Sequence, residues 1–166
     1  MEIWENRPKV IAHLFNPCFC GEILHIAIKS YNKVDNKSGF PFPLYPLVLP
    51  ILLHKSTRDA LPLKSNSNMN LWTISNQHLL IDFPNRVINL KPFSEEAISF
   101  LMAQNMILIN DLGMMETVNI EKGKKKKKII YTEEVNTIFS KAEFIGKWFH
   151  SSGSTQNIYM YFGIKP

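Results

Sequence analysis

From Phe40 to Leu53 the chain carries no charged residue, and prolines at 41, 43, 46 and 50 interrupt the run. So apolar a stretch must be buried, and its length falls short of the ~18 residues of a membrane span. Leu44, Leu47, Val48, Ile51 and Leu52 keep a helical period although Pro50 removes one internal hydrogen bond. The expectation is a kinked helix, wet on almost no side, with the rest of the chain wrapped around it. With 166 residues and 45% hydrophobic content, the chain suits a single domain spanning 1–166.

The flanking segments supply the wrapping. Asn16 before Pro17 reads as an N-cap with proline at the first helical position, opening a helix to about Tyr31. Ile23, Leu24, Ala27, Ile28 and Tyr31 line its buried face, with Glu22 and Lys29 outside. Val34 to Gly39 is a polar loop. Ser56 with Asp59 has the form of a capping box, predicting a turn of helix that stops before Pro62, and Lys64 to Asn70 is again loop. Leu79, Leu80, Phe83, Val87 and Leu90 repeat at helical spacing, and Ser94 with Glu95 and Glu96 predicts a fresh helix start.

Beyond Asn105 the period changes. Met106 to Ile109, a turn at Asp111 to Gly113, and Met114 to Ile120 predict two short strands, with Ile129 to Tyr131 as a third. Lys122 to Lys128 would then be a basic, solvated hairpin tip. Thr132 caps a further helix with the stripe Val135, Ile138, Phe139, Ala142, Ile145 and Phe149. Ser154 starts a last short helix stopped by Gly163. The fold class is α+β and mostly helical: a compact helical domain with a winged-helix-like helix plus a small antiparallel β-hairpin.

Charge and cysteine usage narrow the function. The net charge of +5 is local, because removing Lys122, Lys124, Lys125, Lys126, Lys127 and Lys128 leaves 13 basic residues against 14 acidic ones. Those six lysines are the candidate nucleic-acid contact, as phosphate neutralisers in nonspecific binding of double-stranded DNA, set against the plainer reading of a solvated loop. Cys18 and Cys20, on one helix, point about 200° apart, so they suit neither a shared metal nor a long-range disulfide. A reducing, cytoplasmic setting follows, and no basic, apolar leader or membrane span is read.

No Gly-x-Ser-x-Gly, His-Glu-x-x-His, Walker or dinucleotide motif occurs. The histidines His13, His25, His54, His78 and His150 are scattered, and the acids Glu95, Glu96, Glu133 and Glu134 fit helix starts. The reading is therefore no enzyme, no cofactor and no metal; an enzyme with an unfamiliar site is the third reading. Arg58, Trp148, Phe149, Tyr159 and Tyr161 are the candidate partner interface, alongside the segment Pro43 to Pro62, because aromatics and arginine are enriched in interface hot spots as well as in cores.

Three motifs together carry a resemblance: Asn16-Pro17-Cys18-Phe19-Cys20-Gly21; Leu47 to Lys55 with Thr57-Arg58 and Leu61-Pro62; and Gly146-Lys147-Trp148-Phe149 through Gly163-Ile164-Lys165-Pro166. Across nearly its whole length the chain resembles the middle components of bacterial three-component ABC systems, a kind of protein found in Lamassu-type antiphage operons. The resemblance implies a noncatalytic accessory subunit between an SMC-like ABC ATPase, itself a dimer that senses DNA, and a nuclease-type effector restrained until activation. Lys124 to Lys128 lie outside the shared pattern. The alternative, from the helix-hairpin order and the lysine run, is a freestanding winged-helix DNA-binding protein.

Overall fold

The computed structural model describes residues 7–35, 39–118 and 129–164. It is 66% helical with one small three-stranded antiparallel sheet, the α+β, mostly helical class expected.

Helix α1 (Lys9–Leu14) is short, and α2 (Pro17–Asn32) follows it at once. The break between them is set by Asn16, whose side chain accepts from Cys18 N at 2.8 Å and so satisfies one free N–H of the new helix. The combined run Lys9–Asn32 is long and apolar enough to cross a membrane by length and composition. Here, however, Ile23, Leu24, Ala27 and Ile28 of α2 are fully buried in the protein core. Arg7 fixes the start of α1 by a bidentate pair with Glu96, at 2.8 and 3.0 Å.

The proline-rich segment forms β1 (Phe40–Pro41), a 3-10 turn (Phe42–Leu44) and α3 (Tyr45–Leu52). Every residue of α3 is buried, and Pro50 sits inside it. Its side chains pack against α2, α7 (Phe83–Ala103) and α8 (Glu133–Ser151). Helix α4 (Lys55–Asp59) follows, then α5 (Met69–Ser75), capped by Asn68, and α6 (Gln77–Leu80). The α4 cap is His54, whose Nδ1 accepts from Thr57 N at 3.3 Å; the Ser56 box read from the sequence does not form.

Helix α7 corrects a second expectation. Ser94 starts no new helix, because α7 runs unbroken through Pro92 and Ser94 to Ala103. Phe83, Val87, Ser94, Ala97, Ile98 and Leu101 make one buried stripe, and that burial outweighs the hydrogen bond lost at Pro92. The Ser94 hydroxyl is spent inside the helix, donating to Leu90 O at 3.2 Å.

Strands β2 (Ile107–Ile109) and β3 (Met114–Thr117) form the expected hairpin. Its turn is built by Asn110, whose Oδ1 accepts from Leu112 N and Met114 N, and by Gly113 at φ 71°. The sheet order is β1-β3-β2, with Phe40 opposite Met115 and Leu108 opposite Glu116. The third strand is therefore Phe40–Pro41, and Ile129 to Tyr131 form none. The difference has a physical cause: Phe40 is buried at the core, while Ile130 is 90% exposed and the chain must enter α8 at the Thr132 cap. The second hairpin thus lacks its closing strand, and its lysine tip lies outside the described residues.

Helices α8 and α9 (Thr155–Tyr161) close the fold, capped by Thr132 and Ser154. Helix α8 crosses α2 at Gly146, where a Cβ would lie 2.2 Å from Ala27 O and 2.9 Å from Tyr31 N. Nothing but glycine permits that approach. Beside it Ser30 Oγ donates to Glu143 O at 2.8 Å, a bond that requires the two backbones to stay close.

Candidate functional site

Two places concentrate chemistry or exposed apolar surface. The first is the corner where α3 turns into α4. Arg86 of α7 donates from Nη1 to Thr57 Oγ1 at 3.1 Å and from Nη2 to Leu79 O at 2.7 Å, with its guanidinium over the Phe83 ring. Having accepted from Arg86, the buried Thr57 hydroxyl is directed to donate to His54 Nδ1, 2.8 Å away. Nδ1 then accepts from both Thr57 O–H and Thr57 N–H, which places the ring proton on Nε2. Burial, followed by the positive charge of Arg86, lowers the His54 pKa below 6.5, with Asp82 opposing. A neutral imidazole is what the cap needs.

Arg58 occupies the same corner, 3% exposed. It donates from Nη1 to Leu52 O at 2.7 Å and from Nη2 to Glu134 Oε1 at 3.1 Å. It thereby ties the end of α3 to the first turn of α8. Its Nε is buried with no hydrogen-bond partner among the described residues. This arginine is a fastener between elements, and its guanidinium is closed to a partner.

The remaining interface candidates are also turned inward. Trp148 and Phe149 are fully buried, Trp148 with Nε1 donating to Ser67 O at 2.7 Å and its ring set edge-on to Trp72. Tyr159 is buried with its hydroxyl on Pro43 O, and only Tyr161 is half-exposed. The segment Pro43 to Pro62 is mostly interior as well, because α3 has no wet face. In this arrangement these residues build the core, because the same large rings that anchor interfaces also fill interiors.

Cys18 is exposed and Cys20 buried, on opposite sides of α2. Burial, then Glu96, raises the Cys20 thiol to about 12, so it stays protonated and inert. Among the described residues no group of three or more His, Cys, Asp or Glu is placed to hold a metal ion.

The second place is a groove of about 500 Å³ between α5, α6 and α9. Ile74, Ile81, Met160 and Tyr161 line it with the neutral polar groups of Asn70, Thr73 and Gln77. Ile81 is 82% and Met160 65% exposed. Sequence reasoning passed over both. The signal for Ile81 was its position off the stripe of Leu80, Phe83 and Val87, which forces an apolar side chain into solvent. The groove is open, uncharged and apolar, which suits a protein surface better than an ionic ligand.

A family described as ABC-three component (ABC-3C) system Middle Component 3 has a model that matches residues 4–166. No curated protein and no solved structure matches the chain.

Proposed function

Because the chain belongs to the Middle Component 3 family of ABC-three component systems, we propose that it is a noncatalytic accessory subunit linking an ABC ATPase to an effector. In this reading the ATPase is an SMC-like dimer that senses DNA in the cytoplasm. The effector is a nuclease held inactive until the ATPase responds, as in a Lamassu-type antiphage system. The observation that carries the reading is the family match over almost the full length. The exposed apolar groove of Ile74, Ile81 and Met160 supports it as a contact surface.

The test is affinity purification of the tagged protein from its operon, with the mass of the eluted assembly measured with and without linear DNA. Coelution of a large ATPase and an effector is expected, with the effector released when DNA is added. Elution of this chain without either, while ATPase and effector pair in its absence, refutes the proposal.

The succession of α7 and the β2–β3 hairpin supports a second reading, a freestanding winged-helix DNA binder. It requires the lysines at 122 and 124–128 to neutralise phosphates. Replacing Lys124 to Lys128 with Gln should flatten the dependence of log affinity on log salt, and an unchanged slope removes this reading.

A further inference from the structure

Helix α1 is poorly fitted to stand by itself. It has six residues, where an isolated helix needs about 12–15 to hold in water. Pro8 ahead of it offers no side-chain cap, and its first turn carries Lys9 and no acid, the wrong sign for that end of the helix dipole. Nor does packing make up the difference, because Ala12 is its one buried residue while Val10 and Leu14 are 68% and 57% exposed. Its two flanks, by contrast, are both fastened to a single turn of α7. Ahead of the helix, Arg7 makes its bidentate pair with Glu96 and sets its guanidinium 5.7 Å from the centre of the Phe93 ring. Behind it, the Phe15 ring centre lies 4.5 Å from that same ring. Phe93 and Glu96 stand three residues apart on α7 and so share one face.

We propose that α1 is a strap: the segment from Arg7 to Phe15 opens as one piece about Asn16, with Phe93 and Glu96 as its catch, while the rest of the domain stays folded. The helix beyond the hinge does not lean on it. Asn16 caps α2 with its own side chain, and Cys20 N donates to Asn16 O at 2.9 Å, so the first turn of α2 is bonded within itself. Arg7 and Phe15 share the Phe93 ring, so releasing Arg7 also loosens the seat of Phe15. Opening separates Glu96 from Arg7 and bares the Phe93 ring. This spot on α7 thereby turns from covered to acidic and aromatic, with the buried helix α3 unmoved. Such an opening belongs to the low end of the local stabilities that a folded domain carries.

Amide hydrogen exchange of the full chain tests the strap. The Ala12 and Phe15 amides, bonded to Pro8 O and Ile11 O at 3.0 Å, should be protected yet exchange at least about a hundredfold faster than those of Ile23, Leu24 and Ala27 in α2. In low denaturant the α1 rates should hardly change, since a local opening exposes little surface, while the α2 rates climb steeply. Arg7→Gln should speed the two α1 amides about ten- to hundredfold, as expected for hydrogen bonds between charged groups, and leave the α2 amides where they are. If that variant does not fold, the wild-type denaturant series decides alone. Protection and denaturant slope in α1 equal to those in α2 overturn the proposal. So do wild-type α1 amides with no protection, because a strap must also close. A folded Arg7→Gln that leaves α1 exchange unchanged, or raises α1 and α2 alike, overturns it as well.

Discussion

Gly146→Ala tests the central helix crossing with a single methyl group. The new Cβ would stand 2.2 Å from Ala27 O, 2.9 Å from Tyr31 N and 3.0 Å from Ser30 Cβ. A carbon beside a carbonyl oxygen needs about 3.3 Å, so α2 and α8 must separate by about 1 Å. A gap of that size takes the 2.8 Å bond from Ser30 Oγ to Glu143 O beyond hydrogen-bonding range, at a cost of about 1–3 kcal/mol. Overpacking a filled core costs about 1–3 kcal/mol more. Against this, alanine gains about 1 kcal/mol of helix propensity over glycine. The net loss is about 1–5 kcal/mol, a fall in melting temperature of roughly 2–20 °C for a chain of this size. Gly21→Ala is the control within the same core, since the nearest atoms to its Cβ would be in the Leu101 and Phe100 side chains, at an ordinary 3.4 Å. Thermal unfolding followed by circular dichroism should separate the two variants. A Gly146→Ala melting point within about 2 °C of wild type would show that the helices yield at no cost, and would refute the reasoning.

Three further outcomes are expected. Arg58→Ala should cost about 2–4 kcal/mol in chemical denaturation, through the unpaired Leu52 carbonyl and the lost side-chain stem, while Glu134→Gln should cost about 1 kcal/mol or less because Glu134 is 67% exposed; equal losses would contradict the fastener role. His54 has a folded pKa below its unfolded value of 6.5, so the unfolded chain binds its proton first and the cap's contribution is complete above pH 6.5 and lost as pH falls through the folded pKa. His54→Asn, which keeps a cap acceptor without titrating, should flatten the slope of stability with pH below 6.5, and an unaltered slope would place the titration elsewhere. Ile81→Glu and Met160→Glu should leave unfolding within about 0.5 kcal/mol of wild type yet reduce the ATPase recovered by affinity purification; full recovery would clear the groove of that role.

The local signals in the sequence proved reliable where one residue acts on its own backbone. Asn16, Thr132 and Ser154 cap the helices expected of them, and the α2 stripe from Ile23 to Tyr31 is buried as its spacing requires. One local reading failed, since His54 and not Ser56 caps α4; two others depended on contacts distant in sequence. Ser94 has the chemistry of a helix start, but a buried stripe contributed by other elements holds α7 together through it. Ile129 to Tyr131 are near in sequence and rich in β-branched residues, the local marks of a third strand, whereas Met115 pairs with Phe40, far back in the chain. Of the aromatic interface candidates Trp148, Phe149 and Tyr159 are buried while Tyr161 lines the groove, because aromatic character alone does not say on which side of the surface a ring lies. Nor could spacing show that Arg58 and Glu134 meet, or that Gly146 lets two helices touch.

That crossing at Gly146 also fixes when the domain can exist. The face of α2 that closes on α8 is translated more than a hundred residues before its cover, as the bond from Ser30 to Glu143 shows with its separation of 113 positions. During synthesis the side of α2 that carries Ala27 and Ser30 must wait without its α8 cover until almost the entire chain has left the ribosome. The price of so distant a closure is a nascent chain with its stickiest side open, which favours slow folding and capture by chaperones or by companions made from the same message. A truncation ahead of α8 would thus leave an aggregating intermediate in place of a smaller stable domain.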